Sequence, residues 1–408
     1  MVTKGASILI IGAVLLVLAS EPCIQREERR DPISRRIRLK YIGDCLAFQT
    51  PTLAFQVDPL LSLQLVPSSI QELAVDLSEI RRYMRLYMPR NLRNLVDTTD
   101  VVMLSNSAAD YFTADWLRWI SRGTESSGLG LIMIGGLSSF GGFDGYVVYP
   151  DWGRTEVGDL LPVETVRIGG LDGHIDFAFK LAPRRAEDPL ISAFDWTRGP
   201  NFFAINVVSA RTGSDLLAVS DPQGHPLIAY WEVGEGSALA FTSTWGNPWG
   251  NDFFRWEYFG DFSADLVYYS AGLEIPDPEV VHRIRLILED FEISRGIVRS
   301  VIDFVDRLGG GTGRVQGLYD DLLLRKTEAE EAYIDQEYVS CLDQMNVLLD
   351  EMKGVSDAAI RAKDAAFVWI YLIEWCAVTG AVFLSGYFLY YAMVRRGLYR
   401  RVRSTRTG

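Results

Sequence analysis

Chemistry in this 408-residue chain would have to come from a Gly-rich turn and the strand ends beside it. Gly135-Gly136-Leu137-Ser138-Ser139-Phe140 follows an apolar run, Leu129–Ile134, and Ser105-Asn106 closes another, Val101–Ser105. Adjacent strand ends bring hydroxyl and amide groups together where an α/β sheet carries its binding loops. Ser105, Asn106, Ser138, Ser139, Phe140 and Tyr146 are therefore the candidate ligand contacts. A nucleophile at Ser138 or Ser139 would need a positioned base. The only histidines are His174, His225 and His282. The first two stand in turn contexts, Gly-His-Ile and Gly-His-Pro, and the third opens a helical segment. The bland alternative is that the glycines permit tight backbone geometry and the serines cap the next helix. Glu156 and Asp159 read as solvated turn residues. Cys23, Cys45, Cys341 and Cys376 lack metal-ligand spacing, so neither a metal nor a cofactor is expected. A Cys23–Cys45 disulfide is compatible with the spacing and no more. Trp245, Trp249, Phe253, Phe254, Trp256, Tyr258, Phe259 and Phe262 crowd one stretch. Exposed, they would stack on sugars, which is the case for a glycan reading. Their helical spacing favours core.

The elements that must position these groups divide the chain into zones. Residues 36–273 alternate strands and helices. Ile37–Ile42, Leu61–Val66, Val101–Ser105 and Leu129–Ile134 are apolar on both faces, as buried parallel strands are. Helical patterns lie between them, one capped by Thr113. Past Glu164 the strands shorten and Gly, Pro and Asp turns multiply, which predicts an antiparallel extension. Val233-Gly234-Glu235-Gly236 is read as a hairpin turn between the last two strands. Together these predict a doubly wound α/β sheet with an antiparallel extension.

Four blocks of this zone carry a resemblance. Asp100-Val-Val-Met-Leu-Ser-Asn-Ser-Ala-Ala-Asp110, Gly130-Leu-Ile-Met-Ile-Gly-Gly-Leu-Ser-Ser-Phe-Gly-Gly142, Thr155–Glu164 after Tyr146, and Pro226–Ser243 occur in order. In that order they resemble the glutamine amidotransferase-like family of the class I amidotransferase fold. The resemblance covers about residues 36–273 and implies a flavodoxin-like sandwich. Active members hold a nucleophilic Cys in Gly-x-Cys-x-Gly and a His near Phe-His-Pro-Glu. The corresponding segments here are Ile134-Gly135-Gly136-Leu137-Ser138 and Phe241-Thr242-Ser243-Thr244, without Cys or His. The resemblance thus implies a domain without glutaminase activity. The rival expectation is a hydrolase using Ser138 or Ser139.

Two further zones follow. Residues 278–364 are helical, with apolar residues at heptad spacing on Val281–Val305 and again from Val315 to Met352. They predict an antiparallel coiled-coil hairpin with Gly309–Gly313 at its tip. Because the second helix is the longer, the tip is expected to point away from the membrane. Residues 365–394 hold one charge, Glu374, and Arg395, Arg396, Arg400 and Arg401 follow in a basic tail, 395–408. About 20 helical residues cross a bilayer, so residues 365–394 read as a membrane span with the tail cytoplasmic. Residues 1–20 read as a signal peptide or an uncleaved signal anchor. Seven basic and three acidic residues between Arg26 and Lys40 oppose that direction of export. The expected partners are the lipid bilayer and proteins met through the coiled coil and the span. With a net charge of −13 overall, nucleic acid is an unsuitable partner.

Overall fold

The computed structural model describes residues 28–45, 50–69, 76–142, 150–166, 173–246, 249–308 and 311–404. The N-terminal apolar run, Cys23 and Tyr146 lie outside these residues. The chain forms two units, Met1–His282 and Arg283–Gly408.

The first unit is built on one nine-stranded sheet of order β2-β1-β3-β4-β11-β10-β9-β6-β7. Its strands are β1 (Ile37–Gly43), β2 (Leu61–Pro67), β3 (Val101–Ser105), β4 (Gly130–Ile134), β6 (His174–Pro183), β7 (Phe202–Asn206), β9 (Asp215–Asp221), β10 (Pro226–Val233) and β11 (Gly236–Phe241). The five strands from β2 to β11 pair in parallel. The rest pair antiparallel, which is the expected extension. Two short strands, β5 (Val163–Thr165) and β8 (Val208–Ala210), form a separate pair. The β10–β11 turn is the expected hairpin, with Gly234 at φ +61°.

Helices cover both faces of the sheet's centre, where β3 and β4 are buried along their whole length. α1 (Thr50–Val57) and α5 (Phe259–Ser270) lie on the face carrying Tyr41 and Phe241. Tyr41 meets Phe55 at 5.8 Å and Phe241 meets Phe262 at 5.9 Å between ring centroids. On the other face, α2 (Leu77–Tyr87), α3 (Leu92–Thr98) and α4 (Ala114–Ser127) bury Ile80, Met84, Leu95 and Ile120 against Ile42, Val66, Val102, Leu104 and Met133. Thr113 caps α4 as expected, accepting from the Trp116 N–H at 3.3 Å. Half of the aromatic crowd is core: Trp245, Phe253, Phe259 and Phe262 are buried, and the other four are partly buried.

The basic segment near the start has a structural use. Arg38 grips Asp100 through Nε to Oδ2 at 2.9 Å and Nη2 to Oδ1 at 2.7 Å, and Arg29 Nε lies 3.4 Å from Oδ1. Part of the positive charge between Arg26 and Lys40 is thus spent at the N-terminal end of β3.

The second unit departs from the expected two-helix hairpin. α6 (Pro278–Arg307) enters it, and α7 (Gly313–Ile334) and α8 (Tyr338–Ser404) follow. The segment read as one long second helix breaks at Asp335-Gln336-Glu337. Gln336 takes φ +64°, the Glu337 N–H donates to the Ala332 carbonyl, and the Gln336 N–H donates to that of Tyr333. This is a Schellman closure with glutamine in the left-handed position that glycine usually fills. α7 is antiparallel to α6, with Lys326 Nζ 3.2 Å from Glu292 Oε1. α8 is antiparallel to α7, with Arg325 Nη2 donating to Glu351 Oε1 at 3.1 Å. α8 therefore runs parallel to α6. Ile284, Leu288, Phe291, Val298, Ile302 and Val305 are buried on α6, as are Leu322, Ala329 and Tyr333 on α7 and Met345, Leu348 and Met352 on α8.

This reverses the expected orientation. The end of α6 does not point away from the apolar run, because the Phe304 ring lies tilted 5.6 Å from that of Phe367 at the start of that run. A comparison of helix lengths holds for two helices, and the described residues of this unit form three. α8 is the one helix among the described residues long and apolar enough to cross a membrane. Its 67 residues run about 100 Å at 1.5 Å each.

Candidate functional site at the strand ends

β1, β3, β4 and β11 all end at one edge of the sheet, and the candidate residues gather there. β1 ends on Gly43 at φ +140°, packed so closely on Ser105 that a Cβ would fall 1.7 Å from its carbonyl oxygen. β3 ends on Ser105, and Asn106 turns the chain at φ +49°, a conformation asparagine tolerates better than most residues. β4 leads into the Gly-rich turn.

The structure brings Ser105, Asn106, Ser138, Ser139 and Phe140 together and buries all five. The Asn106 N–H donates to Ser139 Oγ at 3.1 Å, and the Ser138 N–H donates to Asn106 Oδ1 at 3.1 Å. Phe140, at φ +50°, receives the Trp152 N–H on its carbonyl at 2.7 Å. Ser105 Oγ accepts from Trp245 Nε1 at 2.9 Å. These groups face one another across the loops.

Several residues of this cluster were not foreseen. Asn206, from the end of β7, accepts the Gly136 N–H at 2.8 Å and donates to the Gly136 carbonyl at 3.1 Å. Trp152 Nε1 donates to the Ser107 and Ser138 carbonyls at 2.9 and 3.0 Å. Tyr41 donates its hydroxyl to Asp44 Oδ1 at 2.9 Å. Burial first, then the Asp44 charge, holds the Tyr41 hydroxyl well above its ordinary pKa. Each lies far along the chain from the Gly-rich turn. Only the buried-type context of a tryptophan or asparagine beside a strand could have drawn attention to them.

The two positions that carry chemistry in the resembled family are occupied otherwise. Gly136 is the middle residue of Ile134–Ser138, the segment that the resemblance sets against Gly-x-Cys-x-Gly. It has φ +150°, and a Cβ built on it would meet the Asn106 side chain at 2.7–2.9 Å. No side chain fits there without a shift. At the position of the missing histidine the hydroxyls bind backbone. Thr242 Oγ1 donates to the Pro226 carbonyl at 2.6 Å and Ser243 Oγ to the Ala204 carbonyl at 2.8 Å. Thr244 Oγ1 accepts the Gly246 N–H at 3.0 Å. Cys45, two residues past β1, is buried, and burial together with Asp44 pushes its thiol far up, away from the reactive thiolate.

The histidines are placed differently from their turn contexts. His174 opens β6 opposite Asn206, its ring 5 % exposed and its Nδ1 3.5 Å from Asp176 Oδ1. Burial holds its pKa below the ordinary value, with Asp176 opposing. His225 precedes β10, its ring 6.2 Å from that of Phe177. His282 Nδ1 lies 2.6 Å from Asp261 Oδ2. Glu156 and Asp159 are exposed, as expected. Among the described residues no group of His, Cys, Asp and Glu is arranged to hold a metal. Two grooves of about 580 and 600 Å³ lie elsewhere, one beside Lys180, Ile191 and Trp196 and the other beside Pro189 and Pro278.

This sheet, with its Gly-rich turn after β4, defines the class of domain. Residues 100–269 match the family described as "Putative glutamine amidotransferase". Among solved structures the chain is similar to a cytoplasmic protein of Salmonella typhimurium LT2, at 18 % identity and a TM-score of 0.47, over 57 % of this chain and 99 % of that one. A second cytoplasmic protein of Salmonella typhimurium matches at 17 % identity and a TM-score of 0.48, over 57 % and 99 %. No curated protein matches.

Proposed function

We propose that the protein is a membrane-anchored, catalytically inactive amidotransferase-like domain that works by binding, in the assembly of a protein complex at the cell surface. The observation that carries the inactive reading is Gly136. In the middle of the segment set against the family's nucleophile turn, it has neither a side chain nor room for one, because Asn106 fills that space. Acyl transfer from glutamine needs a thiolate with a positioned base. Here the neighbouring hydroxyls at 242–244 are engaged with backbone. The parallel order β2-β1-β3-β4-β11 is that of a flavodoxin-like wrap, which supports the fold implied by the resemblance.

The apolar helix α8 is read as the anchor. Arg395, Arg396, Arg400 and Arg401 follow its apolar run and favour a cytoplasmic tail with the α/β unit outside. A domain held there without chemistry of its own acts through what it binds.

Purified full-length protein incubated with glutamine and with ester and amide substrates is expected to release no product above the blank. Product release that disappears in Ser138→Ala or Ser139→Ala would establish the hydrolase instead. Protease added to intact cells is expected to remove the α/β unit and spare an epitope on the tail.

A further inference from the structure

The end of α6 carries apolar side chains outside the core of its unit. Phe304 is 40 % exposed and Leu308 38 %, and Leu318, on the second turn of α7, is 46 % exposed. Single exposed apolar residues are ordinary. Phe304 and Leu308 close one end of a helical unit, with Leu318 further back on α7, and a ring contact fixes which end. Phe304 lies 5.6 Å from Phe367, where the apolar run of α8 begins.

α6 and α8 run parallel, so positions can be followed down both. Leu308, four residues past Phe304, lies about 6 Å further along the axis. The same step along α8 leads from Phe367 to Tyr371. Trp369, Tyr371 and Trp375 form an exposed aromatic group there. Such rings collect where hydrocarbon meets water. A second group, Tyr387, Tyr390 and Tyr391, follows on the same helix. The stretch from Tyr371 to Tyr390 measures about 29 Å at 1.5 Å per residue, close to the roughly 30 Å of a bilayer's hydrocarbon core. The first aromatic group thus marks one membrane surface, and Leu308 stands level with it.

The geometry points to a second membrane contact: Phe304 and Leu308 sit in the headgroup layer of the leaflet where α8 enters, and lipid covers them. This inference rests on α8 being a membrane span. The exposed charges nearby are mixed, Asp303 and Asp306 beside two arginines. Arg307 and Arg314 are exposed on either side of the turn, and arginine can lay its stem on apolar surface while its guanidinium meets phosphate. A bundle end held in the interface would fix the tilt of the unit on its anchor, which one helix crossing the surface cannot do alone.

Full-length protein in vesicles of phosphatidylcholine with phosphatidylglycerol tests it, in a Cys23→Ser, Cys376→Ser background. An environment-sensitive fluorophore is attached at Leu308→Cys, at Val378→Cys or at Asp290→Cys. The label at 308 is expected to be quenched by lipids bearing a nitroxide near the headgroup and shielded from aqueous iodide. The label at 378 should be quenched by deep nitroxides. The label at 290, about 27 Å up the helix, should respond to iodide alone. A label at 308 as open to iodide as that at 290, while 378 is quenched, overturns the inference and leaves the anchor standing. An unquenched 378 overturns the anchor itself, and the inference with it. A label at 308 shielded from iodide but indifferent to nitroxide lipids means a protein covers the site, and also overturns it.

Discussion

The two ends of the parallel strands are held by different kinds of bond. At the N-terminal ends a buried carboxylate, Asp100, is shared by Arg38 and Arg29. At the C-terminal ends the bonds run mostly between neutral groups: Asn106 with Ser138 and Ser139, Asn206 with Gly136, Trp152 with Ser107 and Ser138, Trp245 with Ser105. Asp44, capped by the Tyr41 hydroxyl, is the charged exception. In an open α/β sheet the C-terminal edge is where ligands bind. Here the chain's own amides and hydroxyls fill the turn at which a nucleophile would sit. One end is an ionic clamp on a single residue; the other is a network spread over four loops. Loss of one group should therefore cost more at the clamp.

The largest effect is expected from Asp100→Ala. The carboxylate is fully buried, and its removal takes the shared anion from the partly buried Arg38 and Arg29 guanidiniums, which keep backbone carbonyls and, for Arg38, Asp31. Breaking such a pair costs about 3–5 kcal/mol. Urea unfolding of the α/β unit in the full-length protein measures it. A loss under half that size would mean that the clamp contributes no more than a neutral bond.

Lys40 lies on β1 between the two ends and carries the next largest effect. It is buried with Gln64 as its one side-chain partner among the described residues, and burial pushes its amine down to about 8. The unfolded value is higher, so between the two the unfolded chain binds more protons. Stability should then rise with pH from about 8 toward the unfolded value near 10.5 and be lower, and flat, below 8. At about 1.4 kcal/mol per unit the difference is roughly 3 kcal/mol. Lys40→Met should abolish that slope and be more stable at neutral pH. A variant that keeps the slope would assign it to another group.

At the neutral end, Gly136→Ala adds a Cβ against Asn106 in a backbone conformation that suits glycine, and should cost roughly 2–3 kcal/mol. The cost should shrink in an Asn106→Gly background, because the obstructing atoms are gone. Equal costs in both backgrounds would show that the φ angle matters and the contact does not.

What could be read from the sequence follows from what is local. β3 and β4 show as continuous apolar runs because they are buried on both faces, β1 and the edge strand β2 keep polar residues at alternate positions, and the observed ends of all four differ from the predicted runs by a residue or so. The β10–β11 hairpin and the Thr113 cap are set by residues within a few positions. The break at Gln336 was hidden because glutamine favours helix and apolar spacing continues on both sides of it. Only the left-handed backbone at that one residue turns two helices into three, and with it the end of α6 faces the apolar run. The strand-end residues were found because they adjoin their strands. Asn206 was missed because its role depends on strand order: β7 reaches Gly136 through a bridge between Ile205 and Ser243 that no local pattern encodes.

The smallest expected effect is that of Ser139→Ala, and it tests what the neutral end is for. Ser139 Oγ accepts the buried Asn106 N–H, and the adjoining Ser138 N–H is held by the Asn106 side chain. Losing the hydroxyl leaves one buried donor unsatisfied, worth about 1–2 kcal/mol. The neighbouring bonds at Trp152 and Asn206 do not use that oxygen, so the turn should keep its shape. If Ser139 is a packing residue, the loss appears in the unfolding midpoint alone, and Ser139→Thr, which retains a hydroxyl, recovers part of it. If Ser139 instead meets a ligand, the stability change is small and binding to the complex partner falls. The two readings move different measurements, so denaturation and co-purification run on the same pair of variants separate them.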